Sequence, residues 1–219
     1  MSMVKRCGRK PESCAPKARA SAQKAASETQ IMVLSFVFAV LLLFVGCDAF
    51  FLPDDYQPSG TAFNLNPNIE VVGITGGLTP VGSGLYTLDM TVRSSGSGPA
   101  SDVLPGGLFF TSSDDRVEHM IALKSQDITA DSGDTVNRLG VFGCNKGRMI
   151  PGSSDSYDVG PVTDDPELQR LVRLVRSKDI SSDLGMIQRA VYLVTDSTGL
   201  TQAYVDSIEA LPTEKDFSW

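Results

Sequence analysis

Residues 86–93 read YTLDMTVR, and this stretch decides the class of fold that the chain adopts. Apolar and polar side chains alternate along it, and the apolar positions are Tyr86, Leu88, Met90 and Val92. Because successive side chains of a β-strand point to opposite faces, this period of two gathers the apolar side chains on one face. The stretch therefore predicts a strand in a sheet with one buried face.

Four more segments have the apolar and β-branched composition of strands. They are residues 69–74, 108–111, 117–123 and 136–144. Turn-forming runs such as SSDD and DSGD separate several of them. Five or more short strands at this spacing predict an antiparallel β-sandwich or barrel.

The C-terminal part has helical spacing instead. Asp164 or Asp165 can cap a first helix, whose apolar residues recur every three or four positions. A second helix is predicted over about residues 184–195, and Thr201 can cap a third that stops before Pro212. The fold class predicted is thus α+β, an antiparallel β-sandwich followed by a C-terminal segment of about three helices.

The domain boundaries follow from these patterns. A single extracytoplasmic domain is predicted over residues 69–219, with strands in residues 69–145 and helices in residues 164–211. Residues 47–68 contain much Pro, Gly, Asn and Asp with little periodicity, so they are predicted to be a flexible tether.

A signal peptide is predicted over residues 1–46. Its apolar run, residues 31–45, reads IMVLSFVFAVLLLFV and directly follows a basic segment. Fifteen residues form a helix of about 22 Å, which is short of the roughly 30 Å hydrocarbon core of a bilayer. An uncleaved, single-pass membrane anchor is the alternative for this segment.

The run ends at Phe44-Val45-Gly46-Cys47, which resembles the lipobox of bacterial lipoproteins. Phe44 stands where that family usually has leucine. The resemblance implies that Cys47 receives acyl chains such as palmitate and becomes the first residue of the mature protein. Two or three such chains would anchor the chain to a membrane of the cell envelope, facing the periplasm or the exterior.

Charge divides unevenly at this cysteine. Seven of the 19 basic residues but only two of the 26 acidic residues precede Cys47, so the rest carries 12 basic and 24 acidic residues, a net charge of −12. An acidic surface repels phosphate backbones, so nucleic acid is not expected as a partner.

The four cysteines do not form a disulfide framework. Cys7 and Cys14 would leave with the signal peptide, and Cys47 would carry lipid. Cys144 alone remains in the domain. It is either a buried, inert thiol or one that is used chemically.

No catalytic residue, metal ligand or cofactor site is predicted, so the chain is expected not to be an enzyme. His119 is the only histidine, which excludes a histidine-based metal cluster. It has the parity of the apolar residues Val117 and Ile121, as expected for a half-buried strand histidine. A Ser-His-Asp hydrolase would have to use this histidine.

One pair of residues suggests a different chemistry. Phe142-Gly143-Cys144 ends a predicted strand, and Ile187-Gln188-Arg189-Ala190-Val191 lies on the second predicted helix. Over residues 140–196 the chain resembles the thioester domains of bacterial surface adhesins. That resemblance implies a thioester between Cys144 and Gln188, although Gly143 and Asn145 differ from the motif. Without the bond, Cys144 is a buried small hydrophobe and Gln188 hydrogen-bonds a loop carbonyl.

The leading prediction is an envelope lipoprotein with a non-enzymatic domain. Acylated Cys47 would bind the lipid membrane, and the domain would bind another envelope protein or a surface glycan. The first alternative is an adhesin-like domain that binds covalently through Cys144 and Gln188. The second is a single-pass membrane-anchored protein of another function.

Overall fold

The computed structural model describes residues 56–78 and 81–215. Within these residues, nine strands precede three helices. The strands are β1 (Gly60–Ala62), β2 (Ile69–Gly77), β3 (Tyr86–Ser94), β4 (Ala100–Leu104), β5 (Leu108–Ser112), β6 (Met120–Ala122), β7 (Gln126–Ala130), β8 (Thr135–Gly143) and β9 (Tyr157–Thr163). The helices are α1 (Pro166–Val175), α2 (Leu184–Thr195) and α3 (Gln202–Glu209). This order confirms the predicted α+β class with three C-terminal helices.

Seven of the strands form one sheet in the order β1-β9-β5-β6-β8-β3-β2, and β4 and β7 form a separate pair. All pairings between the nine strands named above are antiparallel, as predicted. An isolated bridge joins Thr75 of the edge strand β2 to Ser156, which lies directly before β9. The sheet therefore curls until one edge meets a strand near its other edge.

Strand β3 forms over the residues for which the sequence predicts a strand with one buried face. It lies between β2 and β8 and pairs with both along almost its whole length. Leu88, Met90 and Val92 are fully buried, whereas Asp89 and Thr91 on the other parity keep partial exposure. The alternation of apolar and polar residues thus fixes which face of β3 points into the core.

The sheet separates two hydrophobic cores. Along β5, Leu108 and Phe110 point into an inner core inside the curled sheet, while Phe109 between them points into an outer core beneath the helices. Along β8, Val141 faces the inner core and Phe142 the outer one. Because both faces are covered, these segments are continuous apolar runs rather than alternating ones.

The helices cover the outer core. Asp165 caps α1, because its carboxylate accepts hydrogen bonds from the backbone N–H groups of Glu167 at 2.8 Å and Leu168 at 3.1 Å. Asp183 caps α2 through the N–H of Met186 at 3.1 Å. Helix α2 then runs across the sheet with most of its side chains buried.

Four strands were not predicted from the sequence. Strands β4 and β7 are short and rich in polar residues, and residues of β4 belong to a segment that reads as a loop. Strand β9 contains Gly160 and Pro161, which usually interrupt strands. Its partners β1 and β5 supply the pairing that its own composition does not favour.

The predicted tether is shorter than expected, because residues 56–68 belong to the folded domain. Tyr56 packs against Phe109 with ring centroids 5.9 Å apart, and Phe63 and Leu65 pack against the inner core. Strand β1 in the same segment pairs with β9. The signal peptide, Cys47 and residues 48–55 lie outside the described residues. Within the described residues, no helix is long and apolar enough to cross a membrane.

Candidate functional site

The candidate site lies where β8 extends beyond β3. Pairing between these strands ends at Val141, opposite Tyr86, whereas β6 continues alongside β8 to Gly143. The N–H of Cys144 donates to the carbonyl of His119 at 2.9 Å, on the β6 side. Because neighbouring residues of a strand direct their backbone groups to opposite edges, the N–H and C=O of Gly143 point to the edge that β3 has left open.

Gln188 of α2 fills this open edge. Its Nε2 donates to the carbonyl oxygen of Gly143 at 2.8 Å, and the N–H of Gly143 donates to its Oε1 at 2.9 Å. The side-chain amide thus replaces the backbone of a neighbouring strand and satisfies two buried groups at once. The structure therefore brings Gln188 to the residue directly before Cys144.

Cys144 is a free and fully buried cysteine. Its side chain belongs to the outer core, together with Ile187 and Val191 of α2. Burial, and to a smaller extent the nearby charge of Glu118, raises the pKa of this thiol well above its ordinary value. At neutral pH the thiol is therefore protonated, and a protonated thiol is a poor nucleophile.

Glu118 is the third buried group beside Gly143 and is only 2% exposed. Gln188, Cys144 and Glu118 together are called the cluster below. Oε1 of Glu118 accepts a hydrogen bond from the hydroxyl of Tyr192 at 2.8 Å, while its Oε2 has no hydrogen-bond partner among the described residues. A Cβ atom at Gly143 would overlap this Oε2. Position 143 therefore accepts only glycine while the carboxyl group stays where it is.

The environment of Glu118 favours its neutral form. Burial raises the pKa of Glu118 to about 7, against the opposing influence of the Tyr192 hydroxyl, the Asn145 backbone and Arg148. Burial also raises the pKa of Tyr192 and of the adjacent Tyr86. The cluster is thus a neutral, hydrogen-bonded group of side chains near pH 6.

Sequence reasoning did not single out Glu118. The one feature of the sequence that points to Glu118 is its position beside His119, at the start of an apolar run. A charged residue buried in such a run has to be neutralised or paired. The contact of Glu118 with Tyr192 joins positions 74 residues apart, and sequence spacing carries no trace of that contact.

His119 is tied into the sheet by hydrogen bonds of its ring and of its backbone. It is buried, more so than predicted, and its Nδ1 accepts a hydrogen bond from the backbone N–H of Ser112 at 3.1 Å. Its own backbone N–H donates to Oδ1 of Asn145 at 3.1 Å, and Nδ2 of Asn145 donates to the carbonyl of Tyr56 at 2.9 Å. In the part of the chain that the structure describes, no group of three or more acidic, histidine or cysteine residues is placed to hold a metal ion.

Comparison with protein families, with curated proteins and with solved structures finds no match to this chain. The chemistry of the cluster is therefore inferred from its own geometry.

The neutral state of Glu118 gives a pH dependence with a definite sign. The pKa in the fold, about 7, lies above the ordinary 4.5, so this contribution to stability is complete below pH 4.5 and is lost as the pH rises through 7. We expect the free energy of unfolding to fall by at most about 3 kcal/mol over this range, measured by urea denaturation.

A matched pair of variants distinguishes the pH dependence that Glu118 causes from that of the other carboxylates. Glu118→Gln should remove this pH dependence, whereas the same change at the exposed Glu70 should leave it in place. A wild-type curve with the same pH dependence as the Glu118→Gln curve would show that the carboxyl group is already ionised in the fold.

Proposed function

We propose that this chain is an envelope lipoprotein whose folded domain is a non-enzymatic binding module. Acyl chains on Cys47 hold it on a membrane surface outside the cytoplasm. The observation that carries this proposal is the apolar run of residues 31–45, which Gly46-Cys47 follows directly. Cys47 lies only nine residues before Tyr56, where the described part of the domain begins.

The use of the buried polar groups supports binding rather than catalysis. Gln188 is bonded to Gly143, His119 to the Ser112 backbone, and Glu118 to Tyr192. Each of these three polar side chains is buried, so a substrate in solution does not reach them. The bonds of Gln188 and Glu118 join α2 to β8 and to the segment before β6, and the bond of His119 joins that segment to β5. Recognition is thus left to the outer surface.

One end of the sheet offers a surface for a protein partner. Val71 and Val72 of β2 and Val136 of β8 are exposed there, and we call these three residues the valine surface. They lie at the same end, because Val71 pairs with Val92 of β3, which pairs with Thr135 beside Val136. The register sets Val71 beside Val92 and Val136 beside Thr91, so these two side chains lie on opposite faces at this end of the sheet. A protein partner of the envelope that contacts both faces of this end fits this placement better than a small solute does.

Metabolic labelling with a clickable fatty acid tests the anchor. The full-length chain should incorporate the label, and Cys47→Ser should abolish it, because the thiol of Cys47 is the acceptor in this proposal. Cys144→Ser is the matched control, since that thiol is fully buried in the domain, and it should keep the label.

Label that persists in the Cys47→Ser chain would contradict the proposal. An unlabelled chain that keeps its N-terminus and still fractionates with membranes would support a single-pass anchor instead.

A second candidate function is covalent attachment through a thioester. The observation that favours it is the position of the Gln188 amide against Gly143, directly before Cys144, in a site without access to water. In this reaction Sγ of Cys144 bonds to Cδ of Gln188, the C–N bond breaks, and the nitrogen leaves as ammonia with the thiol proton. Glu118, beside Gly143, is a buried acid that can relay this proton.

The mass of the intact domain tests this candidate. A thioester lowers the mass by one ammonia, about 17 Da, and Cys144→Ala should remove the deficit. Gln126→Ala is the matched control for Gln188→Ala. Gln126 makes the same two bonds, at 3.0 and 2.7 Å, to Gly140, which is not next to a cysteine.

The expected pattern is loss of the deficit with Gln188→Ala and its retention with Gln126→Ala. A wild-type domain at its full sequence mass, with a thiol that reacts after unfolding, would exclude the thioester.

A further inference from the structure

A loop lies beside the point where the chain enters the domain. This loop, residues 145–151, reads NKGRMIP and is called the entry loop below. Nδ2 of Asn145, its first residue, donates to the carbonyl of Tyr56 at 2.9 Å. Eight residues lie between Cys47 and Tyr56, and an extended chain of that length spans at most about 30 Å.

The entry loop presents two large apolar side chains to solvent. Met149 is 51% exposed and Ile150 is 59% exposed. Their backbone is held in place, since the N–H of Met149 donates to the carbonyl of Arg116 at 2.9 Å and the N–H of Glu118 donates to the carbonyl of Met149 at 3.0 Å. The loop is therefore fixed with its apolar side chains outward rather than folded onto the core.

We propose that the entry loop docks the domain onto the lipid bilayer, with Met149 and Ile150 in the interfacial layer. This inference rests on the proposed membrane anchor. The free energy falls when apolar side chains leave water for the interface. The short connection to Cys47 keeps the loop at the membrane surface. Exposed Lys146 lies in the same loop, at a place suited to lipid phosphates.

The apolar pair, rather than charge, drives this docking. Asp114 is ion-paired with the neighbouring Arg116, so this arginine adds little attraction to an anionic surface. Lys146 is offset by the acidic character of the domain as a whole. Binding should therefore persist at high salt, which screens surface charges but strengthens apolar contacts.

Docking of the entry loop also orients the domain. Val136 lies at the opposite end of β8 from Gly143, which is about 25 Å away for a strand of this length. With the entry loop on the lipid, the valine surface faces away from the membrane. That orientation leaves the valine surface accessible to a partner in the envelope.

Fluorescence quenching by brominated lipids tests the docking in the full-length, acylated chain. Trp219→Phe removes the natural tryptophan, and Ile150→Trp then introduces a single probe in the entry loop. The matched control is Val136→Trp, because Val136 is also an exposed β-branched residue, 55% exposed, and lies at the far end of β8. The chains are compared in phosphatidylcholine vesicles with and without bromine on the acyl chains.

The Ile150→Trp chain should lose about half of its fluorescence or more in brominated vesicles, at low and high salt alike, and the Val136→Trp chain should lose almost none.

Vesicle flotation distinguishes a failure of the docking from a failure of the membrane anchor. Chains that float with the vesicles but show no quenching at position 150, or equal quenching at both positions, overturn the docking and leave the anchor intact. Chains that do not float overturn the anchor and the docking together.

Discussion

The backbone of Gly143 has to be hydrogen-bonded at a point where β8 has passed the end of β3, and the rest of the cluster depends on this constraint. A buried N–H or C=O without a partner costs more free energy than most single contacts return. Gln188 satisfies both groups, and so it ties α2 to the sheet. Glu118 occupies the space that a side chain at position 143 would fill. Because position 143 has no Cβ atom, β8, α2 and the carboxyl group of Glu118 can pack closely there.

In this packing, buried polar residues hold α2 against the sheet. A carboxyl group enters such a core most cheaply in its neutral form, because an unpaired buried charge is far more costly. Its hydrogen bond to Tyr192 then connects α2 to the segment before β6. With the cysteine, glutamine, glutamate and histidine enclosed, molecules in solution meet the surface of the domain. The proposed partner binding and membrane docking therefore use the two ends of the sheet and the anchor, whereas the thioester candidate uses the enclosed Cys144 and Gln188.

Sequence patterns predicted the strands and helices whose formation depends mainly on local features of the chain. The alternation in YTLDMTVR, the apolar runs of β5 and β8 and the Asp165 cap of α1 each reflect local physics, and the structure confirms them. Thr201 stands at the N-cap position of α3, but its side chain makes no capping hydrogen bond. Strands β4, β7 and β9 were missed because their pairing partners, rather than their composition, hold them in the sheet. Residues 56–68 read as a tether because their few apolar side chains lack periodicity, yet they pack against both cores. Glu118 was missed because its contacts are distant in sequence.

The most direct test of the central constraint is the free energy of unfolding of Gly143→Ala. Gly185→Ala on α2 is the control, because a Cβ there meets no other atom and alanine favours the helix. We expect Gly143→Ala to lose at least about 2 kcal/mol, since the added methyl group displaces the carboxyl group of Glu118. Gly185→Ala should be neutral or slightly stabilising. Equal stabilities of the two variants would show that Gly143 is not confined between Gln188 and Glu118, and would contradict this account of the site.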